Sequence, residues 1–343
     1  MPESLTKRRI DESTLRALVC EAFGPDASMA AFRELGDGYF NAAFRIGLAD
    51  GRDVVLKVSP PANAALLTYE RDIMRAEAEF FREARGAGIP QPELLYAGFD
   101  RMVIDGDYLF LSAVPGVSWY SVREELDDEQ TASLRRELGG IIARLHTVRN
   151  PRGLFGYPAV PELSAPTWPA AFGAMLAAML ADARRYEVGL PAADDELLGA
   201  VRRNADALEQ VAEPALVHFD LWPGNILITA PAEASARPGG IPGINSLIDG
   251  ERVIWADPLM EFIGMDVFGH AEHDDCVRGG YLAAGGRIDD GDAARRRISL
   301  YHLYMQLLLL TEMGPRGYTD PEYLEFFGTE CPKRIVAALA ELS

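Results

Sequence analysis

Apolar residues Leu15, Leu18 and Val19 recur at helical spacing within residues 11–23, and Gly24-Pro25 ends that run. The period then shortens. Residues 43–48 and 53–58 lean towards strand and flank Asp50-Gly51, a hairpin turn. Residues 68–87 predict a long helix, stopped by Gly88-Ile89-Pro90, and residues 94–96 and 108–114 predict two more strands. Beyond Pro115-Gly116 the helical period returns, over residues 127–147, 168–186 and 194–211. A short β region interrupts it, LVHFDLWPGNILI and SLIDGERVIW, before helices resume from Pro258. Strands with one helix followed by helices with one hairpin predict an α+β chain in two lobes. Residues 1–115 form the smaller, an antiparallel sheet with one long helix, and residues 116–343 the larger, mainly helical one. No repeat of 20 to 50 residues is visible. The Pro- and Gly-rich residues 231–245 lie between two short apolar runs and predict an enlarged hairpin loop.

Composition narrows the class. With 343 residues, 48% hydrophobic and 25% charged, the chain buries a full core without staples. Cys20, Cys276 and Cys331 have no close spacing, which fits neither a disulfide framework nor a zinc site and points to the cytoplasm. The first residues lack the apolar stretch of a secretion signal, and residues 300–310 are short of the ~20 a membrane span needs. A net charge of −19 argues against nucleic acid or an anionic membrane as main partner. An acidic surface is compatible with a small cationic substrate, and the expected state is a monomer or homodimer. Basic residues are almost all arginine; the lysines are Lys7, Lys57 and Lys333. A lysine inside such a chain marks a site where the two cations are not interchangeable.

The candidate chemistry centres on His218-Phe-Asp220-Leu-Trp-Pro-Gly-Asn225, a loop between two apolar runs. Phosphoryl transfer to a hydroxyl needs a carboxylate to orient the nucleophile and accept its proton, and oxygen ligands for Mg²⁺ on the same rigid loop. Asp220 suits the first task and Asn225 the second. Downstream, Asp249 ends an apolar strand, where it is placed to bind Mg²⁺ bridging the phosphates of ATP. Upstream, Lys57 ends Val54-Val55-Leu56-Lys57-Val58 and suits the α- and β-phosphates. It needs a helix carboxylate, and the following stretch offers Glu70, Glu77, Glu79 and Glu83. Gly36-Asp37-Gly38-Tyr39-Phe40-Asn41 makes a loop that can fold over phosphates, with Gly38 and Asn41 as contacts. The strand running into Pro115-Gly116 suggests a hinge presenting the backbone of Ser112 and Val114 to adenine. Two rival readings are a metal hydrolase using His218, Asp220 and the His270-Ala-Glu-His273-Asp-Asp275 run, for which five histidines are few, and a nucleotide-binding module without catalysis, against which every catalytic element is present.

In chain order these pieces resemble the aminoglycoside phosphotransferase family and its choline-kinase-like and fructosamine-kinase-like relatives. HFDLWPGN is similar to the family's HxDxxxxN motif, IDGERVIWADPLMEF to its IDWE…GDP…D segment, and Ile142-Ala-Arg-Leu-His146 to its LARLH-type spacing. The resemblance covers roughly residues 32–268 and implies a protein-kinase-like fold and an ATP- and Mg²⁺-dependent small-molecule kinase. It further implies Asp220 as catalytic base, Asn225 and Asp249 as Mg²⁺ ligands, and Lys57 paired with Glu77, with Glu79 as the alternative. His218 and Asp257 become structural supports of the catalytic loop. The acceptor is an aminoglycoside-type or other natural-product antibiotic, or else a metabolic sugar, amino alcohol or hydroxy amino acid. Glu251, Glu261, Asp266, Asp274 and Asp275 are candidates to face it. Gly250 departs from the family pattern, which has an aromatic residue there, and the 231–245 loop is longer than usual.

Overall fold

The computed structural model describes residues 7–36, 40–234, 240–269 and 271–343. Helix α1 (Glu12–Phe23) starts where the Asp11 carboxylate accepts the Thr14 N–H, satisfying one of the donors that a helix start leaves unpaired. Strands β1 (Met29–Leu35), β2 (Ala42–Leu48) and β3 (Asp53–Val58) follow as an antiparallel meander. Helix α2 (Ile73–Ala84) then crosses to β4 (Leu94–Gly98) and β5 (Tyr108–Ser112). The sheet order is β1-β2-β3-β5-β4, and every pairing is antiparallel. Along β2 buried and half-buried residues alternate, the period of a strand with one face inward.

The sheet separates two apolar clusters. Leu15, Leu18 and Val19 of α1 pack with Phe44, Ile46, Leu56 and Phe110 on one face. On the other, Leu109 and Leu111 join Phe80 and Phe81 of α2 in a cluster continuous with the core of the helical part. Lys57 alternates with Leu56 and so projects to the second face, towards that part of the chain.

The helix predicted over residues 68–87 is shorter. Residues Thr68–Glu70 make a separate 3₁₀ turn, Asp72 sits in the left-handed region at φ 54°, and only Ile73–Ala84 is α-helical before another 3₁₀ turn. The reason is tertiary. Asp182 accepts the Thr68 N–H, and Glu70 accepts the Leu67 N–H at 2.7 Å while pairing with Arg316. That first turn is therefore tied to helices of the larger lobe instead of continuing α2.

After β6 (Val117–Ser118) come α3 (Asp128–Leu145), the short β7 (Phe155–Gly156) and β8 (Ser164–Ala165), and α4 (Trp168–Arg185). The predicted 194–211 helix divides into α5 (Asp194–Arg203) and α6 (Ala205–Leu208), because the Asn204 side-chain amide donates back to the Ala200 carbonyl and caps α5. Strands β9 (Ala215–Val217) and β10 (Ile226–Ile228) bracket the Asp/Asn loop. After the short helix α7 (Pro231–Ala234), β11 (Ile244–Leu247) returns to pair with β10, and β12 (Ile254–Ala256) pairs with β9. The remainder is helical: α8 (Leu259–Met265), α9 (Asp275–Ala283), α10 (Asp292–Arg316) and α11 (Pro321–Glu341). The architecture is α+β and bilobal. Among the described residues no helix is long and apolar enough to cross a membrane, and the three cysteines are free.

Candidate active site

Residues 218–225 leave β9 and must expose a carboxylate while burying their neighbours. Phe219, fully buried, adopts the left-handed region at φ 64°. Such a conformation costs energy in a non-glycine residue and persists only where the surroundings enforce it. Here Glu261 of α8, itself fully buried, accepts the N–H groups of His218 and Phe219, both at 2.9 Å. Gly264 completes the clamp, since a Cβ there would lie 2.4 Å from the Phe219 carbonyl oxygen. Glu261 is thus a buried strut of the loop and does not face a substrate, a correction to the sequence reading. An aliphatic-looking helix hid this, because nothing in a sequence tells an inward carboxylate from an outward one.

Burial pulls the His218 pKa down, and its Nε2–H donates to the Ile248 carbonyl at 3.0 Å. It links the Asp220 loop to the residue preceding Asp249. Asp257, expected to buttress the same loop, sits one step further back. It accepts from Arg297 and Tyr301 of α10, both at 2.8 Å, and from the Leu259 N–H at 3.1 Å. Its work is to fix the start of α8 against α10, and Glu261 carries the direct support.

Asp220 accepts from the Asn225 side-chain amide at 2.9 Å, and the same Nδ2 reaches the Asp220 carbonyl at 2.9 Å. Burial lifts the Asp220 pKa to about 7 against the pull of Arg252, whose Nη1 lies 3.8 Å from Oδ1. Asp249, in the left-handed region at φ 64°, accepts from Lys57 at 2.5 Å. Lys57 also contacts Glu77 at 2.7 Å and lies 3.6 Å from Glu251. Burial opposes the Lys57 charge, but the three carboxylates outweigh it and its pKa rises. Burial raises Glu77 to about 7 in spite of the ammonium, whereas Asp249, against the effect of its own burial, is held low by Lys57. Glu79 is engaged elsewhere, by Trp255 Nε1 at 3.0 Å and Arg152 at 3.4 Å.

Glu251 stands on the Lys57 side and accepts from the Asn41 side chain, so it too is not placed to line an acceptor pocket. The three remaining acidic candidates do local work. Asp266 accepts the Gly269 N–H in a turn, Asp274 caps α9 and pairs with Arg135 at 2.6 Å, and Asp275 is exposed on the first turn of α9. None of them contacts Asp220. Gly38 lies outside the described residues, as does His270. At the hinge, Ser112 donates its N–H to the Glu93 carbonyl at 2.9 Å, and its hydroxyl accepts the Glu93 N–H. Among the described residues the Val114 backbone makes no such bond and is the freer of the two.

Gly250 has a direct explanation. A Cβ there would lie 2.3 Å from the Phe80 ring, so an aromatic ring supplied by α2 fills the space. Two participants escaped the sequence reading. Arg252 and Glu312 form a 2.8 Å ion pair beside Asp220, and Tyr69 donates its hydroxyl to Glu312 at 2.5 Å. Arg252 stands three residues beyond Asp249, a spacing that carries no signal until the partner on α10 is known.

The carboxylates near Lys57 are gathered about its ammonium, which they neutralise. Carboxylate oxygens of Glu77, Asp249 and Glu251 lie within 4.8 Å of one another, and this is the one such group found among the described residues. It contains no histidine. Because the Asn225 Nδ2 faces Asp220, its Oδ1 is left without a hydrogen-bond donor among the described residues. Oxygen donors of this kind suit Mg²⁺.

The family described as "Phosphotransferase enzyme family" matches residues 31–301. Among solved structures, a candidate fructosamine-3-kinase of Thermobifida fusca is 21% identical, with a TM-score of 0.61 over 97% of this chain and 99% of that one. A candidate aminoglycoside phosphotransferase of Ralstonia eutropha is 15% identical, with a TM-score of 0.64 over 97% and 98%. The streptomycin–ATP complex of APH(2″)-IIa is 14% identical, with a TM-score of 0.57 over 96% and 99%. At such identities the likeness is one of fold, and the fold is protein-kinase-like. A curated protein, the DNA polymerase III subunit alpha of Thermus aquaticus, is 38% identical over 95 residues. That stretch is 26% of this chain, and the chain spans 8% of that protein's length.

Proposed function

This chain is an enzyme of the phosphotransferase enzyme family, and from that premise we propose that it transfers the γ-phosphoryl group of ATP to a hydroxyl of a small molecule. The observation that carries the reading is the convergence of Lys57 from the sheet on Asp249 from the larger lobe, at 2.5 Å, with Glu77 behind the ammonium at 2.7 Å. An ammonium so held anchors phosphates, and Asp220, oriented by Asn225, is the carboxylate left to meet a hydroxyl.

In the proposed step the acceptor oxygen bonds to the γ-phosphorus as the bond to the β,γ-bridging oxygen breaks. The electron pair leaves on ADP, and the hydroxyl proton passes to Asp220 Oδ1 or Oδ2. Asn225 and Asp249 would hold Mg²⁺, which when bound neutralises phosphate charge. Lys57 positions the nucleotide, the backbone at Val114 receives adenine, and Glu261 keeps the Asp220 loop from relaxing. Catalysis of this kind is mainly positioning and charge stabilisation, which suits a loop fixed by buried hydrogen bonds.

A polycationic acceptor such as an aminoglycoside calls for unpaired carboxylates around the base. Glu251 and Glu261 are spent on Lys57, Asn41 and backbone N–H groups, which favours a less cationic alcohol. A panel of hydroxylated acceptors with coupled ADP detection, run with Mg²⁺ and with EDTA, tests the reading. Mg²⁺-dependent ADP release that needs a particular acceptor is expected; turnover of any substrate without ATP would overturn it.

A further inference from the structure

The cation beside Asp220 is Arg252, close to where an acceptor hydroxyl would meet the base. The Arg252 guanidinium is locked from behind: Nη2 donates to Glu312 at 2.8 Å, and Glu312 is itself held by the Tyr69 hydroxyl at 2.5 Å and lies 3.9 Å from Arg316. Arg316 in turn pairs with Glu70, and its guanidinium stacks over Phe40 at 4.5 Å. Nη1 is the end that remains. It lies 3.8 Å from Asp220 Oδ1, beyond hydrogen-bond distance, and donates to no other group among the described residues. With its side chain 16% exposed, the group is reachable but desolvated enough for its charge to count.

The carboxylates around it are taken. Glu312 is shared by Arg252 and Tyr69, and Asp249 and Glu251 face Lys57. An ammonium on the carbon next to the reacting hydroxyl would thus meet a fixed cation and no free carboxylate except Asp220. A carboxylate or oxygen acceptor there would meet a preorganised N–H donor, which loses little freedom on binding.

We propose that Arg252 is the residue that selects the acceptor: it admits a hydroxyl compound carrying a carboxylate or similar oxygen acceptor beside the reacting hydroxyl, and disfavours one carrying an ammonium there. This rests on the phosphotransferase reading of the Asp220 site and deepens it. Arg252 binds the acceptor's neighbouring group and takes no proton.

The test uses the full chain with Mg²⁺ and a non-hydrolysable ATP analogue, titrated by calorimetry with D-glycerate and with ethanolamine as probes. Binding of the analogue reads the underlying nucleotide site separately; its absence would count against the phosphotransfer reading. Glycerate is expected to bind at least about tenfold more tightly than ethanolamine, the worth of one charge-assisted hydrogen bond. Arg252→Gln removes the donor but strands Glu312, so Arg252→Gln with Glu312→Gln is the second variant, checked for a cooperative thermal transition. In either folded variant the glycerate preference is expected to fall about tenfold, with affinity for the analogue unchanged. A purely structural Arg252 would leave the preference intact. An unchanged preference, ethanolamine bound as tightly as glycerate, or neither probe bound by the native chain would each overturn the assignment.

Discussion

Lys57 sets one ammonium against three carboxylates. Replacing it with alanine is expected to raise the KM for ATP about tenfold or more while moving the acceptor KM far less, because in the proposed reaction the ammonium anchors only the nucleotide. Steady-state kinetics with each substrate varied in turn checks this. The same change has a pH signature. The folded pKa of Glu77, about 7, lies above its unfolded value, so the native state holds the extra proton and stability falls as pH rises through that range. Without Lys57 that pKa moves higher still and the loss extends to more alkaline pH. The Lys57→Ala variant is therefore expected to lose more stability, relative to the native chain, at pH 8 than at pH 6, as read by denaturant melts. At Gly250 the constraint is steric. Gly250→Ala pushes a methyl into the Phe80 ring and is expected to cost about 1–3 kcal/mol. Phe80→Leu in the same chain should restore part of it, and a double-mutant cycle by thermal unfolding reads the coupling.

At the scale of elements, the helix α8 is the unexpected actor. Glu261 gives both its oxygens to the backbone of the Asp220 loop, so Glu261→Gln keeps one acceptor and presents an amide donor to a second N–H. A loss of roughly 1–3 kcal/mol in stability is expected, with kcat falling and nucleotide affinity kept, since the change loosens the loop carrying Asp220 and leaves Lys57 alone. Calorimetric nucleotide binding beside acceptor kinetics separates the two. Much of this layout is legible in the chain. Strand periodicity locates Lys57, and the spacing from Asp220 to Asn225 to Asp249 marks the loop and the hairpin that brings them together. Helix ends are less legible. Residues 68–87 have helical spacing throughout, but Asp182 and Arg316 capture the first turn from over a hundred positions away. Partners 60 and about 40 positions away likewise hide Arg252, whose meaning depends on Glu312, and reverse the meaning of Glu261, which the sequence offers as a substrate-facing charge.

Across the whole molecule, the two lobes meet through charged side chains as well as apolar ones. Lys57 and Glu77 come from one and Asp249 and Glu251 from the other, while Glu70 and Tyr69 reach Arg316 and Glu312 of α10. In the proposed reaction, nucleotide anchoring and the acceptor side then fall on opposite flanks of one short segment, residues 249–252. The roles of its two neighbouring aspartates should then separate. Asp249→Ala is expected to weaken Mg²⁺–ATP binding, and raising Mg²⁺ should partly restore it. Asp220→Asn is expected to lower kcat by roughly 10²-fold or more, as losing a general base does, with ATP binding kept and no repair by Mg²⁺. The most direct test of the central claim follows labelled γ-phosphate from ATP into an acceptor panel, with the native chain and Asp220→Asn side by side. Label is expected in a hydroxylated acceptor with the native chain, at a rate reduced a hundredfold or so in the variant. Label released only as inorganic phosphate, or transfer by Asp220→Asn at the native rate, would contradict the account.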